Sequence, residues 1–223
     1  PIGKYRLDVR ADGRPWQSVE FTVAGAAALE IPKPADLSPL TKGQIWTYAL
    51  LQEAGGPARI TKAPPGATLE ADGKLRATVT FAVVGTDEKG THLELRRGDV
   101  LFSEEWWRLG AGGLTVTQRR VEGKSIALDP PQILLPWPLK PPQTWVYEAR
   151  DKSLKQTYDV WGPVPVKGPK GEAPGMVAFV QEQSQPARTT VERHFLPGIG
   201  MVRSIGITAL GDEMISREEL VLR

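Results

Sequence analysis

The chain has 223 residues, 40% hydrophobic and 24% charged, and its 28 Lys and Arg against 26 Asp and Glu leave a net charge of +2. This is an ordinary globular composition. With no cysteine, disulfides, thiolate nucleophiles and Cys-based metal sites are excluded, and the isolated pairs Arg96-Arg97 and Arg119-Arg120 make no stripe of charge that could track a nucleic acid.

The first element is a hairpin over residues 1–24. "KYRLDVR" sets Tyr5, Leu7 and Val9 on one face, and "SVEFTV" does the same with Val19, Phe21 and Val23. A two-residue turn at Asp12-Gly13 would throw Val19 and Phe21 onto the wrong face. Burial should override turn preference, because a one-residue slip flips every side chain. The expectation is a loop of three or five residues, with Leu7 opposite Val19, Tyr5 opposite Phe21 and Gly13 at positive φ. A lone hairpin is marginal in water, so it should dock on the body or on a neighbouring chain. Residues 25–36, "GAAALEIPKPAD", read as a linker.

Period-two alternation continues through "TVTFAVV" (Val79, Phe81, Val83), "THLELRR" (Leu93, Leu95) and "SIGITAL" (Ile205, Ile207, Ala209). Helical signal is nearly absent. Ser216 to Glu219 has the form of a capping box, but the four residues after it are too few for a helix, so 220–222 is read as a strand. "DPPQILLPWPLKPP" (129–142) reads as an extended, semi-rigid proline connector, and "GPVPVKGPKGEAPG" (162–175) as a long flexible loop. The chain begins at Pro1 and not Met. A trimmed form is expected, with any signal peptide or lipid-bearing cysteine upstream.

Internal similarity organises the rest. "PLTKGQIWTY" (39–48) and "PLKPPQTWVY" (138–147) agree at five of ten positions, among them Trp46 with Trp145 and Tyr48 with Tyr147. A second match, Glu105–Leu114 with Glu192–Met201, follows in the same order. The reading is two β repeats, 37–134 and 135–223. In "ERHFLPGIGMV", Pro197 removes a ladder donor, and Gly198 and Gly200 accept angles closed to other residues. With Gly113 in the paler copy "EEWWRLGAGGLTV", they are the candidate structural bend of a curved sheet. The fold class expected is all-β: two tandem copies of a curved antiparallel sheet, half-barrel or sandwich-like, preceded by a β-hairpin.

The segments "PWPLKPPQTWVYE" and "HFLPGIGMV" resemble poorly characterised exported bacterial domains, many of them lipoproteins. Those domains open with a Pro-Leu-x-x-Gly-x-x-Trp-x-Tyr strand and close with aromatic-x-Pro-Gly-x-Gly-apolar-Val. Copy two has Pro142 where the opening glycine belongs, and copy one has Gly110 where the closing proline belongs. The hairpin is similar to the last strands of bacterial immunoglobulin-like modules. The resemblance implies an exported all-β envelope protein of the periplasm or cell surface, and it transfers no catalytic residue.

The chemistry is sparse. Two histidines, His92 and His194, and no G-x-S-x-G elbow argue against a hydrolytic triad, and no metal-ligand spacing appears. The acid pairs Glu104-Glu105, Asp212-Glu213 and Glu218-Glu219 should split across strand faces, unlike the convergent carboxylates of a glycosidase. Trp106-Trp107 is the candidate ligand-binding pair, for a sugar, lipid or protein. The expectation is a non-catalytic exported structural or interaction protein of the cell envelope, without cofactor, metal or nucleic acid, whose partner is a protein or envelope component. The alternative is a carrier of an apolar small molecule or lipid in a half-barrel cavity, and behind it stands a carbohydrate-active enzyme or its accessory domain. A carrier requires a continuous apolar cavity of several hundred Å3. An interaction module requires a filled core with an exposed aromatic patch or a free sheet edge.

Overall fold

The computed structural model describes residues 3–11, 14–23, 31–152, 154–184 and 186–223, with side chains from Ile31 onward except at 183 and 184. The chain divides into two compact units, 1–30 and 31–223. In the first, β1 (Gly3–Ala11) pairs antiparallel with β2 (Arg14–Val23), with Leu7 opposite Val19 and Tyr5 opposite Phe21. The expected odd loop is not how that register arises. Ala11 pairs with Arg14, leaving two residues between them, and a bulge between the Val9–Gln17 and Arg10–Pro15 pairs supplies the one-residue slip. The expected φ at Gly13 and the docking of the hairpin lie outside the described residues.

The second unit is one antiparallel sheet. It comprises β3 (Ile45–Ala54), β4 (Ala67–Leu69), β5 (Leu75–Asp87), β6 (Gly90–Arg97), β7 (Val100–Gly110), β8 (Gly113–Val121), β9 (Lys124–Pro136), β10 (Gln143–Glu148), β11 (Lys155–Gly168), β12 (Gly171–Ser184), β13 (Ala187–Leu196), β14 (Gly200–Leu210) and β15 (Glu213–Leu222). The spatial order is β10 through β15, then β3, β5, β6, β7, β8 and β9, with β4 flanking β5. Two six-stranded meanders thus run in series, joined where β15 pairs with β3 (Leu220 opposite Leu50). Trp46 lies on the first strand of one meander and Trp145 on the first strand of the other. The second matched motif spans the fourth and fifth strands of each, β7–β8 and β13–β14.

The sheet curls until its two edges meet, making a nearly closed barrel. No ladder joins β9 to β10. Instead Trp145 Nε1 donates to the Ile133 carbonyl at 3.1 Å, the Arg150 amide donates to the Asp129 carbonyl at 2.9 Å, and Arg150 pairs with Asp129 at 3.0 Å. Alternation decides what faces inward. Trp46, Tyr48 and Leu50 are buried on β3, and Gln156, Tyr158 and Val160 on β11.

One end is plugged. Pro34–Leu37, expected as the end of the linker and the first residue of the first repeat, is a single helical turn, α1, started by the Lys33 amide donating to Asp36 Oδ2 at 3.0 Å. Its Leu37 is fully buried with Leu114, Leu135, Leu139 and Met176. The two glycine breaks lie against this plug and are tight hairpin turns with a bulge nearby, not bends within a strand. Residues 197–199 link β13 to β14, with Gly198 at φ 74° and Gly200 at φ 100°. The Gly198 amide donates to the Asp36 carbonyl at 2.7 Å. Trp46 Nε1 donates to the Ile199 carbonyl at 2.6 Å and the Tyr48 hydroxyl to the Met201 carbonyl at 2.9 Å. In the other meander, Ala111 and Gly112 link β7 to β8, and Gly113 sits at φ 113°.

Two further expectations are corrected. Residues 162–175 are not a flexible loop. They form the end of the β11–β12 hairpin, where Val164 faces Gly175, Pro165 faces Pro174 and Gly168 faces Gly171. Prolines are tolerated there because this end projects past the ladders to β10 and β13, so neither proline must donate outward. The first half of the proline connector is likewise strand, the end of β9. It is an edge strand, whose outer side needs no regular donors.

Candidate functional site: the barrel interior

Eight strands give a barrel that side chains can just fill, and diameter grows with strand number. The twelve strands of this wall therefore leave space. Two volumes of about 260 and about 300 Å3 lie inside and share seven lining residues, Glu105, Arg119, Leu134, Tyr158, Val180, Val191 and Arg193. The larger share of the wall toward α1 is apolar, built by Trp46, Tyr48, Phe81, Leu93, Trp107 and Phe195. The far end is polar, with Gln132, Gln156, Glu182 and Thr189. The gradient can be followed along single strands. The inward row of β12 runs Met176, Ala178, Val180, Glu182, and that of β11 runs Val160, Tyr158, Gln156.

A chain of hydrogen bonds crosses this interior. Trp107 Nε1 donates to Glu105 Oε2 at 2.6 Å, and Arg119 Nε donates to Glu105 Oε1 at 2.8 Å. Arg119 Nη2 donates to Gln132 Oε1 at 2.6 Å. Gln132 Nε2 donates to the Tyr158 hydroxyl at 2.6 Å and also to Gln156 Oε1. The Tyr158 hydroxyl donates to Gln156 Oε1 at 2.7 Å, and Gln156 Nε2 to Glu182 Oε2 at 2.8 Å. Burial pushes the Tyr158 phenol up, opposed by Arg193 and Arg119. Burial pulls the Arg193 guanidinium below its ordinary value, countered by Tyr158 and Glu105.

Glu218, on β15, also lines the cavity. Burial raises its carboxyl above the usual carboxylate range, partly offset by Arg97. Because the folded state holds this proton more tightly than the unfolded chain, the associated stability is present at acid pH and lost as pH rises through the raised pKa. Glu218→Gln should therefore raise the thermal midpoint at neutral pH, with the gain shrinking as pH falls through the raised pKa and gone below about pH 4, near the unfolded carboxylate pKa. Melting curves of both proteins across pH would show a constant offset if Glu218 were an ordinary surface acid.

The structure separates the candidate tryptophan pair. Trp107 faces the cavity. Trp106 lies on the opposite face of β7 and is only 4% exposed. It stacks on His92 with ring centroids 4.4 Å apart, donates to Asp87 Oδ2 at 2.9 Å, and lies under Lys89 and Arg120. Two of the three acid pairs split as alternation demands, while Asp212-Glu213 lies exposed at the β14–β15 turn. Glu105 points inward while Glu104 bonds His92 and Arg120, both at 2.9 Å, and Glu218 points inward while Glu219 binds Arg203 and Arg217. The outer partners hold the Glu219 carboxyl low against the upward push of burial. His194 accompanies Glu192 at 2.6 Å. Pro197, Gly198, Gly200 and Gly113 shape the plugged end and line neither interior volume. Among the described residues, no three His, Asp or Glu side chains gather as a metal site, and no helix is long and apolar enough to cross a membrane.

No family model and no curated protein matches the chain. Among solved structures, it is similar to a candidate exported protein with a YmcC-like fold from Bacteroides fragilis. Identity is 15% and the TM-score 0.34, over 82% of this chain and 94% of that one. It is also similar to a candidate lipoprotein from Parabacteroides distasonis, at 10% identity and TM-score 0.32, over 82% of this chain and 96% of the other. Likeness at this level assigns neither family nor ligand.

The interior charges went unread in the sequence, although a signal was present. In "VERHF", Arg193 has the same strand parity as Val191 and Phe195, so it falls on the apolar face. Glu105 has the parity of Trp107. A charge on the buried parity of a strand marks an interior polar site.

Proposed function

We propose that the barrel of residues 31–223 is a non-catalytic carrier that holds an apolar-tailed small molecule in its interior, within an exported bacterial protein. The observation that carries this reading is the pair of adjoining volumes, the one toward α1 walled mostly by apolar and aromatic side chains and the other polar, together on the scale of small-molecule pockets. The interaction-module reading asked for a filled core with an open aromatic patch or a free edge. Here Trp106 is covered, and the edge strands β9 and β10 close on each other. The absence of catalysis is supported by the engagement of two interior acids, with both oxygens of Glu105 bonded and Glu182 accepting from Gln156, which leaves Glu218 without a second free acid to work with. Export is supported by the motif resemblance. We also read the two meanders as copies of one ancestral unit, because the matched motifs fall on equivalent strands of each.

Native mass spectrometry of protein purified from its own host tests the carrier. The expected result is an adduct of small-molecule mass that is lost on denaturation. A bare chain that also takes up neither anilinonaphthalene sulfonate nor a medium-chain alcohol would sink it.

A further inference from the structure

Arg193 stands apart from the other charges of the interior. It projects from β13 into the region shared by both volumes. Arg119, its positive neighbour, is spoken for by Glu105 and Gln132. The Glu105 oxygens are taken by Arg119 and Trp107. Among the described residues, nothing forms a hydrogen bond or ion pair with the Arg193 guanidinium. A cation withdrawn from bulk water without a hydrogen-bonded counter-charge is costly, and such burial is relieved where one arrives. On its own strand and the next the wall is apolar: Val191 and Phe195 flank it on β13, and Ala178 and Val180 lie across on β12.

We propose that the ligand of this cavity is an amphipathic molecule with a single anionic head and an apolar tail, such as a medium-chain carboxylate, the head bonded to Arg193. The inference rests on the carrier reading and deepens it. The guanidinium presents a planar fork that a carboxylate or related oxyanion matches with two parallel hydrogen bonds. Phe195, Trp46, Phe81 and Leu93 form the apolar side of the same space, on the way to the α1 plug, and receive the tail. A cationic head would meet Arg119 and Arg193 together and be repelled.

Isothermal titration with dodecanoate, dodecanol and dodecylamine tests this on the unaltered chain and on Arg193→Met and Arg193→Lys. On the unaltered protein dodecanoate should bind about ten- to a hundred-fold more tightly than dodecanol, the range of a hydrogen bond to a charged group, and dodecylamine weakest. In Arg193→Met the preference should vanish while dodecanol affinity is kept, and Arg193→Lys should retain part of it. Equal binding of dodecanoate and dodecanol to the unaltered protein overturns the inference and leaves the carrier reading standing. So does a preference that survives in Arg193→Met. Failure of all three amphiphiles to bind the unaltered protein overturns both. The ranking on the unaltered chain decides the matter even where a variant does not fold.

Discussion

Gly113→Ala is expected to cost about 3–5 kcal/mol of stability, from a left-handed backbone and an overpacked contact acting together. Gly113 opens β8 at φ 113°, and a methyl there would lie 2.1 Å from the Leu135 carbonyl oxygen and 2.8 Å from the Pro136 carbonyl carbon. Both are backbone atoms of β9, the strand that pairs with this residue, so no side chain can rotate away. The contact lies beside Leu114 and Leu135, in the cluster that seats α1. For a chain of this size the loss should lower the thermal midpoint by roughly 10 °C or more. Gly123→Ala is the control. That glycine sits at φ 78° in the β8–β9 turn with nothing near its added methyl, so only the backbone cost of about 1–2 kcal/mol remains. Equal losses in the two variants would show that the close approach of β8 to β9 is not a constraint. Gly200 should fall between them, because its nearest neighbour, Trp46 Nε1 at 3.1 Å, belongs to a side chain.

The same contrast shows which parts of the molecule could be read from residues alone. Alternation is a local property, and it places Trp46, Tyr48, Val79, Val83 and Leu93 inside, where the structure buries them. The hairpin register also follows from parity, though the device that produces it, a bulge rather than an odd loop, does not. Prolines misled where strand geometry tolerates them: at Pro165 and Pro174 past the ladder ends, and along the outer edge of β9. The barrel itself is non-local. Nothing near β15 or β3 states that Leu220 will lie opposite Leu50, or that the first and last strands of the path will meet. Without closure there is no interior, and the charged residues on buried parity look like exceptions in separate strands. Once the sheet curls, Glu105, Arg119 and Arg193 come from β7, β8 and β13 into one space. The candidate site was therefore the least legible part, and the tryptophan pair drew attention to the right strand but described half of it. Trp107 lines the cavity and bonds Glu105 there, whereas Trp106 is locked on the outer face by His92 and Asp87.

The seam between β9 and β10 is where closure is weakest, and Gln132 is the side chain that spans it from within. It is 1% exposed. From β9 it accepts from Arg119 on β8 and donates to Gln156 and Tyr158 on β11, bridging past β10. Gln132→Leu keeps the volume and removes every one of these bonds. It deprives Arg119 of a charged hydrogen bond and leaves the Tyr158 hydroxyl without its donor, so a loss of about 2–3 kcal/mol is expected. The loss should be local before it is global. Amide exchange in β9 and β10 should accelerate through opening of the seam, while β13 and β14, laddered on both sides, exchange as before. Adding Arg119→Met in the same chain replaces a stranded cation by an apolar group and should recover part of the stability, because removing both partners costs less than orphaning one. A loss spread evenly over all strands, or a double variant no better than the sum of its single changes, would mean that backbone packing closes the barrel and the interior hydrogen bonds do not.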